Sequence, residues 1–126
     1  MSPRAVGIDL VAVERIRRML DRHGDRALAR LLTPAERAYC EGQAVPARHV
    51  AARIAAKEAV YKALQGTDDA RAIGWREIEV VRDPHGRPGV RLSGRAERRL
   101  AQMGVAEVLL SLTHTDDLAA AMAVLG

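Results

Sequence analysis

Residues 51–64 read AARIAAKEAVYKAL, the centre of a longer helical pattern that Pro46 opens and Gln65-Gly66 closes. On a helix, Val50, Ile54, Tyr61 and Leu64 share one face, and the turn between them on that face holds Lys57 and Glu58 instead of an apolar pair. A carboxylate or ammonium in a core stripe is costly unless it is paired or coordinates a metal. The pattern therefore admits two readings: a Glu58 to Lys62 ion pair at i, i+4 on a solvated face, or a functional carboxylate on the central helix.

Working toward the N-terminus, AVGIDLVAV (5–13) is apolar and β-branched, which predicts a short buried strand over residues 5 to 10. Asp9 interrupts it, and either closes a strand or serves as a ligand. From Val13 the period turns helical: Val13, Ile16, Met19 and Leu20 recur on one face, Arg15, Arg18 and Arg22 fall on another, and Gly24 is the expected stop. Residues 27–32 continue helically. Thr33-Pro34-Ala35-Glu36 then carries a capping box, with Pro34 at the first helical position, and predicts a short helix to about Gly42.

Beyond the central helix, residues 66–74 form a loop rich in Asp and Gly. EIEVVR (77–82) and residues 89–92 read as a hairpin around Asp83-Pro84-His85-Gly86. Ser93 is the expected cap of a helix over residues 94–103, stopped by Gly104. Residues 105–113 and 118–124 read as strands around Asp116-Asp117, although the alanine run in the last also suits a helix. The order β-α-α-α-β-β-α-β-β predicts an α+β fold, a long central helix on a mainly antiparallel sheet, in one domain spanning residues 1–126.

The chain carries 20 basic and 16 acidic residues, for a net charge of +4. All the basic residues except Lys57 and Lys62 are arginines. This balance suggests nucleic acid, an anionic membrane surface, or acidic and phosphorylated substrates as partners. Phe is absent and only Tyr39, Tyr61 and Trp75 are aromatic, which argues against a platform for stacking single-stranded bases. The lone cysteine, Cys40, forms no intramolecular disulfide and suits a reducing cytoplasm. A signal-peptide layout and a bilayer-spanning apolar run are both missing from the sequence, so a cytoplasmic protein without membrane association is expected.

At the end of a strand, Ser111-Leu112-Thr113-His114-Thr115 gathers three hydroxyls and an imidazole, which either bind phosphate oxygens or start a turn. Arg53, Lys57 and Lys62 near two misplaced carboxylates suit a phosphorylated substrate with a hard cation such as Mg²⁺.

Taken together, Gly7-Ile8-Asp9-Leu10-Val11, Glu14-Arg15-Ile16, Leu32-Thr33-Pro34-Ala35-Glu36, Arg53-Ile54-Ala55-Ala56-Lys57-Glu58-Ala59, Lys62-Ala63-Leu64 and Ser111-Leu112-Thr113-His114-Thr115 resemble, in order, the holo-acyl-carrier-protein synthases. These are small 4′-phosphopantetheinyl transferases. The resemblance implies transfer of phosphopantetheine from coenzyme A to a serine of an acidic apo-acyl carrier protein, with release of adenosine 3′,5′-bisphosphate. It implies Mg²⁺ held by Asp9 and Glu58, with Glu58 and Lys62 catalytic. Arg53, Lys62 and His114 would bind coenzyme A, and Arg15 would meet the carrier, joined by Arg18 and Arg22 on the same face. A homotrimer with active sites between subunits is implied as well. The basic charge is then an arginine face for the carrier and not a nucleic-acid surface. Two departures stand out: where the family often has Gly-Thr-Gly, Gln65 to Asp69 is one residue longer and more acidic, and Ala12 replaces a frequent Glu.

Overall fold

The computed structural model describes residues 2–126. The elements run β1 (Ala5–Ala12), α1 (Val13–Leu31), α2 (Pro34–Glu41), α3 (Pro46–Leu64), two 3₁₀ turns at Asp69–Ala72 and Trp75–Glu77, β2 (Ile78–Arg82), β3 (Pro88–Leu92), α4 (Gly94–Gln102), β4 (Val108–His114) and β5 (Leu118–Leu125). This is the expected order, and the fold is α+β. The alanine run at the C-terminal end is a strand.

Two antiparallel sheets form, one ordered β1-β5-β4 and one made of the β2-β3 hairpin. In β1 the residues alternate: Gly7 and Val11 are buried and Asp9 partly so, whereas Val6, Ile8 and Leu10 point out with 64%, 65% and 63% of their surface exposed. The strand is thus covered on one face only, not buried as its apolar run suggests. The covered face lies on α3. There β5 contributes Ala119, Ala121 and Ala123 opposite Val11, Asp9 and Gly7.

Small residues on both sides bring helix and sheet close. On α3 itself Ala51, Ala52, Ala55, Ala56, Ala59 and Ala63 are all buried, so the helix is enclosed almost all round and has no single apolar stripe. The tightest approach is at Gly7, where a Cβ would stand 1.8 Å from the Ala59 carbonyl oxygen.

The first helical run of α1 stops at Gly24, as expected, and a second run follows it within the same element. That residue takes φ 42° and ψ −118°, a left-handed excursion open to glycine, and the helix resumes in a new direction to Leu31. The capping box forms as expected: Glu36 N–H donates to Thr33 Oγ1 at 3.3 Å and Thr33 N–H to Glu36 Oε1 at 2.9 Å. Ser93 is the N-cap of α4, but its side chain makes no capping bond. Glu77 does that work, accepting from Ala96 N–H at 3.1 Å with one carboxylate oxygen and from Gly74 N–H at 2.9 Å with the other. The C-terminal carbonyls of α3 are met by Arg99, which donates to the oxygens of Leu64 at 2.6 Å and Gln65 at 3.1 Å.

Candidate active site

Asp9 and Lys62 meet across the junction of β1 and α3. Lys62 Nζ donates to Asp9 Oδ1 at 2.8 Å and to the Ile8 carbonyl at 3.1 Å. The expected solvated pair between Glu58 and Lys62 is therefore not the one formed. The hydrogen bond to Asp9 holds the Lys62 ammonium above the usual lysine range, and the charges of Asp9 and Glu58 add to this against partial burial. Lys62 stays cationic at neutral pH. Glu58, one turn before it, lines a cavity of about 280 Å³ together with Lys57, Tyr61, Arg71, Ile73, Gly74, Trp75 and Ile78.

Lys57 is not available to a phosphate. It is 1% exposed, and its three donors are used on Glu36 Oε1 (2.7 Å), the Trp75 carbonyl (2.9 Å) and the Ile78 carbonyl (2.6 Å). Burial pulls its pKa down, opposed by the Glu36 carboxylate. Glu36 is equally buried and also accepts from Val80 N–H at 2.8 Å. Its partnership with Lys57, 21 residues away, was hidden in sequence behind its local role as a cap.

A second cationic group gathers around the first turns of α3. Arg53 is 2% exposed, with its guanidinium 4.2 Å from the centre of the Tyr39 ring, and donates to the His49 carbonyl at 3.3 Å. His49 and His114 rings lie edge to face at 5.8 Å. Arg53 Nε has no partner among the described residues. Burial, then the charges of Arg53, His114, Arg82 and Arg48, lowers the pKa of His49. Thr115 serves the turn, its hydroxyl accepting from the N–H groups of Asp117 and Leu118. Two groups thus form: Asp9 paired with Lys62, within reach of the Glu58 charge one turn away on α3, and Arg53 with His114, linked through His49, a residue that sequence reading left without a role.

On α1, Arg15, Arg18 and Arg22 line one surface concavity with Met19 and His23. Arg15 also edges a groove of about 540 Å³ between α1 and α3, floored by Ile16, Met19, Leu31, Ile54 and Trp75. In the altered loop, Thr67 Oγ1 accepts from Ala70 N–H at 3.2 Å, just ahead of the first 3₁₀ turn, whose N-cap is Asp68.

The family model of the 4′-phosphopantetheinyl transferase superfamily matches residues 5–123. The chain belongs to this superfamily. A phosphopantetheinyl transferase is an enzyme, and the relatives are named accordingly. A holo-[acyl-carrier-protein] synthase of Desulforudis audaxviator is 47% identical over 119 residues, covering 94% of this chain and 89% of that protein. Among solved structures, the holo-[acyl-carrier-protein] synthase of Neisseria meningitidis superposes with a TM-score of 0.84 at 28% identity, over 97% of each chain. That of Helicobacter pylori, in complex with coenzyme A, gives 0.81 at 27% identity, over 96% of this chain and 99% of that one. The transferase fold is shared along the whole length, including the elements that carry Asp9, Glu58 and Lys62.

Proposed function

We propose that this chain transfers 4′-phosphopantetheine from coenzyme A to a serine of an acidic apo-acyl carrier protein, with Mg²⁺, releasing adenosine 3′,5′-bisphosphate. The observation that carries the reading is the Asp9–Lys62 contact beside Glu58, within a chain of this superfamily. The donor set fits Mg²⁺, which takes one or two protein carboxylates and completes its octahedron with water and phosphate oxygens. The Asp9 carboxylate and the Ile8 carbonyl already attract a positive group, the Lys62 ammonium, to that position. Asp9 and Glu58 would hold the ion, which when bound supplies charge neutralisation to the pyrophosphate.

The chain's own groups then divide the task. Lys62, kept protonated by Asp9, neutralises the leaving phosphate as the serine oxygen bonds to the β-phosphorus. The bond from that phosphorus to the bridging oxygen breaks, the bridging oxygen departs with adenosine 3′,5′-bisphosphate, and the serine proton passes to Glu58 or to water. Arg53 and His114 hold the other phosphates of the nucleotide, supported by the unpartnered Arg53 Nε. Residues 1–126 act as one transferase domain in the cytoplasm. Among the described residues no helix is long and apolar enough to cross a membrane.

The reading is tested by incubating the protein with coenzyme A, Mg²⁺ and apo-carrier proteins and weighing the carrier by mass spectrometry. Addition of one phosphopantetheine is expected. An unchanged mass across several apo-carriers, with affinity for RNA, would overturn it in favour of a small basic binding module.

Arg15, Arg18 and Arg22 form the carrier contact, since a strongly acidic partner is steered by such a face. The KM for the carrier is expected to rise roughly tenfold between low salt and about 0.5 M, as the screening length shrinks to a few Å. A KM indifferent to salt would remove the arginine face from the reaction.

The enzyme is a homotrimer in this reading. Support comes from the uncovered sheet face, where Val6, Ile8, Leu10, Leu109, Leu118 and Met122 are 42–65% exposed, an apolar patch of the kind that marks an interface. Light scattering is expected to give three times the chain mass for the parent, and the monomer mass for Ile8→Glu. A monomeric parent at micromolar concentration contradicts the assembly.

A further inference from the structure

The cavity beside Glu58 and the groove between α1 and α3 share one wall, Trp75. The backbone around that wall is not held by a strand pairing of its own, since it forms a short 3₁₀ turn over Trp75–Glu77 before β2 starts at Ile78. Glu77 ties the end of this turn to Gly74, Ala96 and Ser93, and a buried charge holds its two flanking carbonyls. Lys57 Nζ donates to the carbonyls on both sides of the turn, at Trp75 and at Ile78, while Glu36 clamps the same ammonium and takes the N–H of Val80 in the following strand. Thr33 extends the set, donating through its hydroxyl to Glu79 Oε2 at 2.5 Å.

Such a pair is an unusual choice for stability alone, because apolar residues of equal volume serve a core as well or better. Its directional bonds do something apolar packing does not: they fix two carbonyls relative to residue 57, the immediate neighbour of Glu58. We infer that Lys57 and Glu36 are positioning residues, which hold Trp75 as the partition between the Glu58 cavity and the α1 groove and so set how the two substrates approach one another. This rests on the transferase reading above. Lys57 borders the Glu58 cavity, but its three donors are spent on Glu36 and on the Trp75 and Ile78 carbonyls, so both residues act through the Trp75 to Ile78 segment.

Trp75 is the only tryptophan of the chain, so its fluorescence reports the partition directly. The test is the double variant Glu36→Gln/Lys57→Met, which removes both charges and the carbonyl tethers and leaves an amide oxygen for the Val80 N–H. Expected are cooperative unfolding, a red-shifted and more readily quenched Trp75 emission, and a rise of at least about tenfold in the KM for coenzyme A. A folded double variant with parental emission, or with a KM within twofold of the parent, overturns the inference; loss of a merely structural pair could shift the emission but would leave the KM in place. Should that variant fold poorly, Lys57→Arg decides: it keeps the charge but displaces the carbonyls, and emission and KM must shift together. If the parent transfers no phosphopantetheine, the functional reading has failed; parental emission in these variants would instead defeat the positioning role.

Discussion

Glu58→Gln is expected to lower the rate of phosphopantetheine transfer by about 10²–10³-fold, the size of loss seen when one charged or hydrogen-bonding group that stabilises a transition state is removed. Gln keeps the volume and most of the packing of a half-buried side chain on α3 and removes only the negative charge. The expected signature is therefore a fall in kcat with the melting temperature nearly unchanged. Asp9→Asn should behave alike, with one difference. Asp9 is the hydrogen-bonded partner of Lys62, so its replacement also releases the ammonium from the raised pKa that this contact produces. Near-parental transfer by Glu58→Gln in the mass assay would show that the carboxylate is dispensable and would remove the proposed metal site with it.

Gly7→Ala is expected to be the most damaging single methyl in the molecule. The added Cβ would lie 1.8 Å from the Ala59 carbonyl oxygen, 2.8 Å from its carbon and 3.2 Å from the Ala63 nitrogen, all backbone atoms of the buried central helix. Nothing there is a flexible side-chain end that can swing away. Either β1 lifts from α3 or the helix shifts, and both disturb the alanine-lined contact that joins helix to sheet. A cost of about 4 kcal/mol or more is expected, at the extreme end for overpacking and enough to exhaust much of a marginal stability. Thermal unfolding measures it directly. A variant melting within a few degrees of the parent would mean that β1 and α3 are less closely packed than the backbone indicates.

Local chemistry made much of the fold readable. The Thr33 to Glu36 capping box and Pro46 each specify a helix start from neighbouring residues alone, and the Asp83 to Gly86 turn specifies its hairpin. Where the sequence misled, a residue was answering a distant partner. Ser93 sits at a cap position whose carboxylate comes from Glu77. Lys57 is the sharpest case at the site: an ammonium between Arg53 and Lys62 looked like a phosphate ligand, and its real partner lies on another helix. Only tertiary structure pairs Lys57 with Glu36, since each has an opposite charge beside it in sequence, Glu58 and Arg37. The run AVGIDLVAV is apolar on both of its faces, which suggested complete burial, whereas the chain covers only one of them.

That two-sidedness of β1 bears on which changes in length the gene tolerates. Odd-numbered positions from 7 to 11 supply the close approach, the carboxylate and a core contact, while even-numbered positions from 6 to 10 supply the outer apolar surface. Deleting or inserting one residue within 6–11 exchanges the two sets beyond that point: an isoleucine or leucine would turn toward Lys62, and Asp9 would face outward among the apolar side chains. No compensating point substitution restores both faces at once. Indels should therefore be purged from this strand and accumulate instead in segments such as residues 83–87, where an exposed turn joins β2 to β3 and no parity has to be kept.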